Sequence, residues 1–172
     1  YCKGSSPIIK DLIITNNTGD EGGGGGIFCY EASPIITGCL ITNNTTNDVG
    51  GGLYIRNESN VMISNTNFVS NEADLGAGCY LRSESVPTLT NVGFISNVAA
   101  NSGGAIVLKD NADAIMNQVI MVDNIAEGLG GGLYVNNADP SLDYVLAFGN
   151  ISSAGGGAYI RNNTDPIFNH TT

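Results

Sequence analysis

Three landmarks that recur about every 26–27 residues predict an all-β fold for this chain of 172 residues: a parallel β-helix with three short strands per coil and roughly six to seven coils. The landmarks are a glycine run, a Pro or polar residue ahead of apolar residues, and an apolar stretch that closes on Asn. The closing asparagines are spaced 27, 28, 26, 27 and 26 residues apart, at Asn16, Asn43, Asn71, Asn97, Asn124 and Asn150. Because one landmark returns six times at nearly constant spacing, the period describes the whole chain.

The apolar segments within each period indicate strands. They are too short for helices and are rich in Ile, Val, Tyr and Phe, as in "LIITN" and "GFISN". When every segment repeats onto itself, each coil bonds to the next at about 4.8 Å. A propeller blade needs about 40 residues, and the leucine-rich repeat spacing is absent. The sequence therefore predicts a single β-helix domain over 1–172, as a fragment or one subunit of a longer array.

The glycine runs and the closing asparagines have structural roles in such a coil. Glycine tolerates a positive φ, so each run is expected where the chain bends sharply between strands. The six closing asparagines are expected to stack into a ladder, with side-chain amides bonding from coil to coil at about 1 kcal/mol for each bond.

Charge and composition exclude several function classes. The net charge of −10 and the pI near 4.1 argue against nucleic-acid binding and against docking on anionic lipid. The apolar runs are too short to span a bilayer, so no membrane insertion is predicted. Abundant Asn, Thr and Ser with little Lys favour an extracellular or cell-surface protein. Candidate glycosylation sites are Asn57, Asn162 and Asn169.

Alternation within the strand after each glycine run predicts one distinctive outward face. An aromatic column is expected beside a cationic column that holds five of the six basic residues of the chain. The candidate binding or lateral-contact residues are Tyr54, Arg56, Tyr80, Arg82, Lys109, Tyr134, Tyr159 and Arg161. Two interpretations stay open: the columns stabilise the sheet through aromatic and cation–π contacts, or they bind a glycan or a neighbouring molecule.

One stretch resembles a known family. In "GFISNVAANSGGAIVL", F-x-x-N at Phe94–Asn97 is followed by G-G-A-I at Gly103–Ile106, and a weaker copy pairs Phe68–Asn71 with Gly76–Cys79. This pair is similar to the repeats of the chlamydial polymorphic outer-membrane proteins. Elsewhere the match weakens, with Leu40 in place of Phe and "GGGL" in place of "GGAI". The resemblance implies a right-handed β-helix that is secreted or surface-displayed, in an adhesive or cell-envelope role.

The sequence offers little chemistry for catalysis. There is no Asp-Asp pair, and the single histidine, His170, lies in the C-terminal tail, so the chain is predicted not to be an enzyme. No cofactor is expected. Calcium is the one metal considered, at turn acids such as Glu21, Asp48 and Asp74, although solvated turn acids explain them better. Cys2 aligns with Cys29 one coil later, so stacking would bring the pair within disulfide range.

These observations predict a non-enzymatic, extracellular structural or adhesive β-helix. Exposed strand edges recruit other chains, so self-association into a filament is the expected partnership, with a glycan or cell-surface ligand as a further one. The alternative function is a carbohydrate-binding or polysaccharide-cleaving β-helix that uses the outward Tyr/Arg face.

Overall fold

The chain forms a right-handed parallel β-helix of about six turns, as the sequence predicts. The structure is a computed structural model that describes residues 1–20 and 22–172. Among these residues every strand pairing is parallel, and no helix occurs. Accordingly, the described part of the chain contains no helix that could cross a membrane.

Three sheets, A, B and C, run along the axis, and their strands are numbered β1 to β22 in chain order. Sheet A contains β1 (Cys2–Lys3), β5 (Ile27–Tyr30), β9 (Leu53–Arg56), β12 (Cys79–Arg82), β15 (Ile106–Lys109), β18 (Leu133–Asn136) and β21 (Ala158–Arg161). Sheet B contains β2 (Ile8–Lys10), β3 (Ile13–Thr15), β6 (Ile35–Thr37), β7 (Leu40–Thr42), β10 (Met62–Val69), β13 (Thr88–Ile95), β16 (Ile115–Val122), β19 (Ser141–Asp143), β20 (Leu146–Phe148) and β22 (Ile167–Asn169). Sheet C contains β4 (Thr18–Gly19), β8 (Thr45–Thr46), β11 (Glu72–Leu75), β14 (Val98–Ser102) and β17 (Ile125–Ala126).

The division into strands differs from the sequence prediction in one respect. The second and third predicted segments both belong to sheet B, and in three central coils they merge into single bent strands of eight residues. Each bend lies at one residue with a positive φ, at Asn65, Asn91 and Gln118. One left-handed residue turns the strand without ending its pairing, so no loop separates the segments. The third sheet is formed instead by the short strands that follow the closing asparagines.

The core lies between the three sheets and consists of stacked inward columns. Ile36, Ile63 and Leu89 follow one another in sheet B, and Phe68 stacks on Phe94 with ring centres 4.9 Å apart. Residues that alternate toward this core are almost completely buried, which is the main stabilising term of the coil.

All four cysteines lie buried as free thiols. Cys2 and Cys29 are opposite each other in register on β1 and β5, as predicted, but they do not form the disulfide that their alignment suggested. Burial raises the pKa of the Cys29 thiol, and the neighbouring Cys2 raises it further. Burial likewise raises the pKa of Cys79. The thiols therefore contribute to the core as small apolar groups.

The first glycine of each triplet makes the sharp bend into sheet A. Gly76 has φ of 60°, and a Cβ there would lie 2.6 Å from the carbonyl oxygen of Cys79. The equivalent glycines also have positive φ, at Gly24, Gly50, Gly103, Gly130 and Gly155. Only a residue without a side chain adopts this conformation beside the following strand without strain.

Candidate functional site

A ladder of asparagines runs through the corner between sheets B and C. The Asn97 Oδ1 atom accepts hydrogen bonds from the backbone N–H of Asn71 and from its Nδ2, both at 3.0 Å. The Asn97 Nδ2 donates to Asn124 Oδ1 at 2.9 Å and to the Phe68 carbonyl at 3.0 Å. The same pattern links Asn17, Asn44, Asn71, Asn97, Asn124 and Asn150. Each interior amide therefore joins three successive coils.

The prediction of the ladder was wrong at two of its six positions. Asn16 and Asn43 are exposed and have φ of 56° and 53°, so they occupy the turn ahead of the ladder. The ladder positions are taken by the next residues, Asn17 and Asn44. In later coils the turn position is held by Ser70, Ser96, Asp123 and Gly149. The predicted spacing of 28 was the sign of this error, because the true ladder is spaced 27, 27, 26, 27 and 26.

The aromatic column of sheet A is buried, which corrects the prediction of an exposed aromatic face. Tyr54 and Tyr80 are each 2% exposed and Tyr134 is 6% exposed, while Tyr159 is half-buried. The rings do point away from the main core, as alternation predicts. They form a second apolar cluster, however, together with Phe28, Val49, Leu75 and Leu129.

The cover over this column comes from the turn that precedes each glycine run. Val49, Leu75 and Leu129 each stand directly before the glycine with positive φ, and the turn folds them over sheet A. Burial raises the pKa of Tyr80 to about 12 and also raises the pKa of Tyr134. The apolar residue just ahead of three of the glycine runs, at Val49, Leu75 and Leu129, is the sequence signal that would have predicted this second cluster.

The four cations of the candidate face have different surroundings. The Arg56 guanidinium lies over the rings of Phe28, Tyr30 and Tyr54, at 5.7, 4.9 and 5.9 Å from their centres. Arg82 forms an ion pair with Asp110, 3.2 Å between Nη2 and Oδ2.

Lys109 and Arg161, like Arg56, have no carboxylate partner within residues 1–20 and 22–172. Arg161 is exposed, with its guanidinium carbon 5.4 Å from the centre of the Tyr134 ring. Of the four cations of the predicted face, only Arg82 is paired with a carboxylate among the described residues.

The aromatic column has one gap. Between Tyr80 and Tyr134 the column holds Val107, and in the covering column Ser102 stands between Leu75 and Leu129. A cavity of about 310 Å³ lies at this place. Its walls include Leu75, Tyr80, Asn101, Ser102, Val107, Lys109, Leu129, Tyr134, Asn136 and Arg161.

The family of the chain follows from this repeated architecture and from a match to a family model. The model described as "Right handed beta helix region" matches residues 2–165. The chain belongs to the right-handed β-helix family. No curated protein and no solved structure matches it. The family includes both enzymes and non-enzymes, so membership fixes the fold and leaves the activity to the site.

The acidic turns of this β-helix line a surface groove of about 620 Å³. Glu31, Glu58 and Glu84 line it, one in each of three successive coils. Of the turn acids considered for calcium, Asp48 accepts a hydrogen bond from Gly22 N–H at 3.2 Å, and Glu21 lies outside the described residues. Among all described residues, these glutamates included, no three His, Cys, Asp or Glu side chains gather closely enough to hold a metal ion.

The candidate glycosylation sites lie at turns and at the last coil. Asn57 is half-buried with φ of 57°, and the Ser59 of its sequon is buried and hydrogen-bonded to the Arg56 carbonyl at 2.7 Å. Asn162 and Asn169 are exposed. Asn162 donates to Asn136 Oδ1 at 2.9 Å. The two exposed amides are the more accessible of the three.

An apolar patch that alternation was not used to predict lies on the outer side of sheet B. In the later coils Ile120, Leu146 and Phe148 are exposed, and Ile95 and Val122 between them are half-buried. Register places Ile120 beside Leu146 and Val122 beside Phe148. Alternation within "FISN", "MVDN" and "AFGN" is the signal that would have revealed it.

Proposed function

We propose that the protein is a non-enzymatic, extracellular structural or adhesive β-helix that self-associates end to end into a surface fibre or forms part of a long surface protein. Family membership supports the scaffold, and the F-x-x-N and G-G-A-I motifs, similar to chlamydial polymorphic outer-membrane protein repeats, support the adhesive role. Abundant Asn, Ser and Thr support the extracellular location.

The terminal coils carry this proposal, because they expose side chains from columns that are buried inside. In the column of sheet A, Val135 is 0% exposed while Ile160, its register partner on the last coil, is 38% exposed. In sheet B, Leu142 is 1% exposed and its partner Phe168 is 43% exposed. A further coil, from the same or another chain, would bury these groups and pair the free strand edge.

The apolar patch on sheet B supports a lateral contact between copies. Two molecules of net charge −10 repel each other over most of their surface. The patch at Ile120, Leu146 and Phe148 carries no charge, so a second copy can approach there without placing like charges together. Fibres would then pair side by side through sheet B, and not through the covered tyrosines of sheet A.

Negative-stain electron microscopy of the purified protein, with and without mild dissociation, tests the assembly. Wild-type protein is expected to form filaments, and Phe168→Lys, which places a charge on the end face, is expected to give single short rods. Ile167→Lys is the matched control, because this neighbouring side chain points outward and is already 56% exposed. Monodisperse wild-type rods would overturn the proposal.

Carbohydrate binding or cleavage is the second candidate, and the groove with Glu31, Glu58 and Glu84 favours testing it. Successive coils place the backbones of Glu58 and Glu84 about 5 Å apart, and retaining glycosidases use two carboxylates at a similar spacing. Release of reducing ends from acidic or neutral polysaccharides, abolished by Glu58→Gln, would establish an enzyme. No release by the wild-type protein is the result that the non-enzymatic proposal expects.

A further inference from the structure

The bend in sheet B divides its outer surface into two limbs, and an apolar stripe runs along the limb ahead of the bend. The stripe consists of outward side chains in register on six successive coils: Ile35, Met62, Thr88, Ile115, Ser141 and Ile167. Met62 and Ile115 are 51% and 47% exposed. Residues 35–42, 62–69, 88–95 and 115–122 include no charged side chain, although the chain has a net charge of −10. An exposed apolar stripe of this kind marks an interaction surface.

Large and small side chains follow one another along this stripe in an order that complements itself when reversed. Counted from Ile35, the order is large, large, small, large, small, large. A second copy can be turned end for end about an axis that runs along the strands, between Thr88 and Ile115. Met62 then lies opposite Ser141, and Thr88 lies opposite Ile115. Both small side chains thus receive a large one, whereas a copy in the same direction would place Met62 on Met62 and leave a gap at Ser141.

Acidic side chains border the stripe only in its C-terminal half. The column two residues ahead of it holds Ser33, Asn60 and Val86 in the first three coils and Asp113, Asp139 and Asp165 in the next three. Bonds from backbone N–H groups to side-chain oxygens show this alignment. The Asn60 N–H donates to Ser33 Oγ at 3.0 Å, and the Asp139 N–H donates to Asp113 Oδ1 at 2.7 Å. One half of this border is therefore neutral, and the other half has three carboxylates.

A reversed second copy places each of these carboxylates opposite a neutral side chain. Asp139 lies opposite Asn60, and on the other border Asp143 lies opposite Ser64, so amide and hydroxyl donors meet the carboxylates. A copy in the same direction, turned about the helix axis, would instead place Asp139 against Asp143, and these like charges repel each other. Charge and side-chain size therefore favour the same antiparallel arrangement.

We infer that the protein forms an antiparallel dimer through this stripe, with a second copy of the same chain as its partner. Six strands about 4.8 Å apart, each presenting about five residues of about 3.3 Å, form a face of about 29 by 17 Å. Two such faces bury about 1,000 Å², the lower limit for a specific interface, so a micromolar dissociation constant is expected. The stripe lies across the bend from the patch at Ile120, Leu146 and Phe148, and the inference does not rest on end-to-end assembly.

Cross-linking between introduced cysteines tests the direction of the pairing. In the double variant Ser64→Cys/Asp143→Cys, the two sites lie three coils apart in one chain, about 14 Å, but opposite each other in the antiparallel dimer. A short bismaleimide should give a dimer band in denaturing electrophoresis at about 50 µM protein and none at about 0.1 µM. The four native cysteines are buried and do not compete. Asn60→Cys/Ser64→Cys, which would link copies that point in the same direction, is the matched control and should remain monomeric.

A charge introduced into the stripe separates this limb from the rest of sheet B. Added to the first double variant, Ile115→Lys places two lysines in the interface, one opposite each Thr88, and should lower the dimer yield at least about tenfold. Ile120→Lys is the matched control, because it makes the same change in the same strand beyond the bend, at a residue that is 40% exposed. It should leave the yield unchanged, and urea midpoints verify that both variants fold.

Three results would overturn the inference: no dimer band from Ser64→Cys/Asp143→Cys, a dimer band from the same-direction control, or a dimer yield that Ile115→Lys lowers no more than Ile120→Lys does. Each copy has one partner at this stripe, so the cross-link gives dimers whether or not filaments form. Dimers without filaments in micrographs would establish this contact and reject end-to-end assembly. Filaments without the dimer band would do the reverse.

Discussion

Removal of one central ladder amide is expected to destabilise the fold much more than removal of an exposed turn amide. Asn97→Ala removes the acceptor of the Asn71 backbone N–H and the donor to the Phe68 carbonyl. Asn71 Nδ2 keeps its bond to the Ile41 carbonyl at 3.0 Å, and Asn124 Oδ1 keeps the bond from the Asn97 backbone N–H. The buried Asn71 N–H thus loses its partner, and the Phe68 carbonyl loses the bond from the side chain.

The magnitude follows from these two losses. An unpaired buried donor costs about 1–3 kcal/mol and one lost hydrogen bond about 0.5–1.5 kcal/mol, so Asn97→Ala should lower the free energy of unfolding by about 1.5–4.5 kcal/mol. Urea unfolding followed by far-UV circular dichroism measures this change. Asn150→Ala should cost less, because Asn150 is half-buried and water replaces part of its bonding.

The control for this prediction is Asn43→Gly. Asn43 is exposed with φ of 53°, and the equivalent residue in the last of these turns is Gly149, so little change in stability is expected. A loss below about 1 kcal/mol for Asn97→Ala, or equal losses for Asn97→Ala and Asn43→Gly, would refute the assignment of the ladder.

Three further predictions concern the glycine bend, the buried tyrosines and the core stack. Gly76→Ala should lower the free energy of unfolding by at least about 1 kcal/mol, because the φ of Gly76 is 60°. Gly157→Ala should be neutral, because no atom lies within 4 Å of the new Cβ. Equal effects of the two substitutions on urea unfolding would contradict this. The pKa of Tyr80 is raised from 10.0 to about 12, so the folded state retains the proton more strongly than the unfolded chain does. This contribution to stability is complete below pH 10, and about 3 kcal/mol of it is lost between about pH 10 and 12. Tyr80→Phe should lose this pH dependence in alkaline unfolding curves. Phe94→Ala removes a fully buried ring that stacks on Phe68 and should cost about 3–5 kcal/mol in the same melts, and a cost below 1 kcal/mol would place the ring outside the core.

The fold was predictable because its determinants repeat in the sequence. Glycine runs, apolar segments and closing asparagines recur at one period, and each recurrence is an independent observation of the same coil. The boundary between sheets B and C was not predictable in this way. It depends on single left-handed residues such as Asn65 and Gln118, whose conformation no strong local preference specifies.

The two errors at the candidate site have a common physical cause. Alternation tells which side of a sheet a residue faces, but it does not tell what else packs on that side. The turn before each glycine run brings Leu75 and Leu129 over the tyrosines, and this packing depends on tertiary structure. Asn43 and Asn44 are adjacent amides, so only register between coils decides which of them enters the ladder.

The central claim, that coils of separate molecules continue one another end to end, is tested most directly by a cross-link across the junction. Ile160 and Cys2 belong to the same inward column of sheet A, at its two ends. In the outward column beside it, the exposed Lys3 and Arg161 likewise stand at the two ends, so in a stack Arg161 of one copy lies about 5 Å from Lys3 of the next. After treatment of the double variant Lys3→Cys/Arg161→Cys with a short bismaleimide cross-linker, the account predicts a ladder of linked multimers in denaturing electrophoresis, absent from the control Lys3→Cys. A single monomer band for the double variant would contradict it.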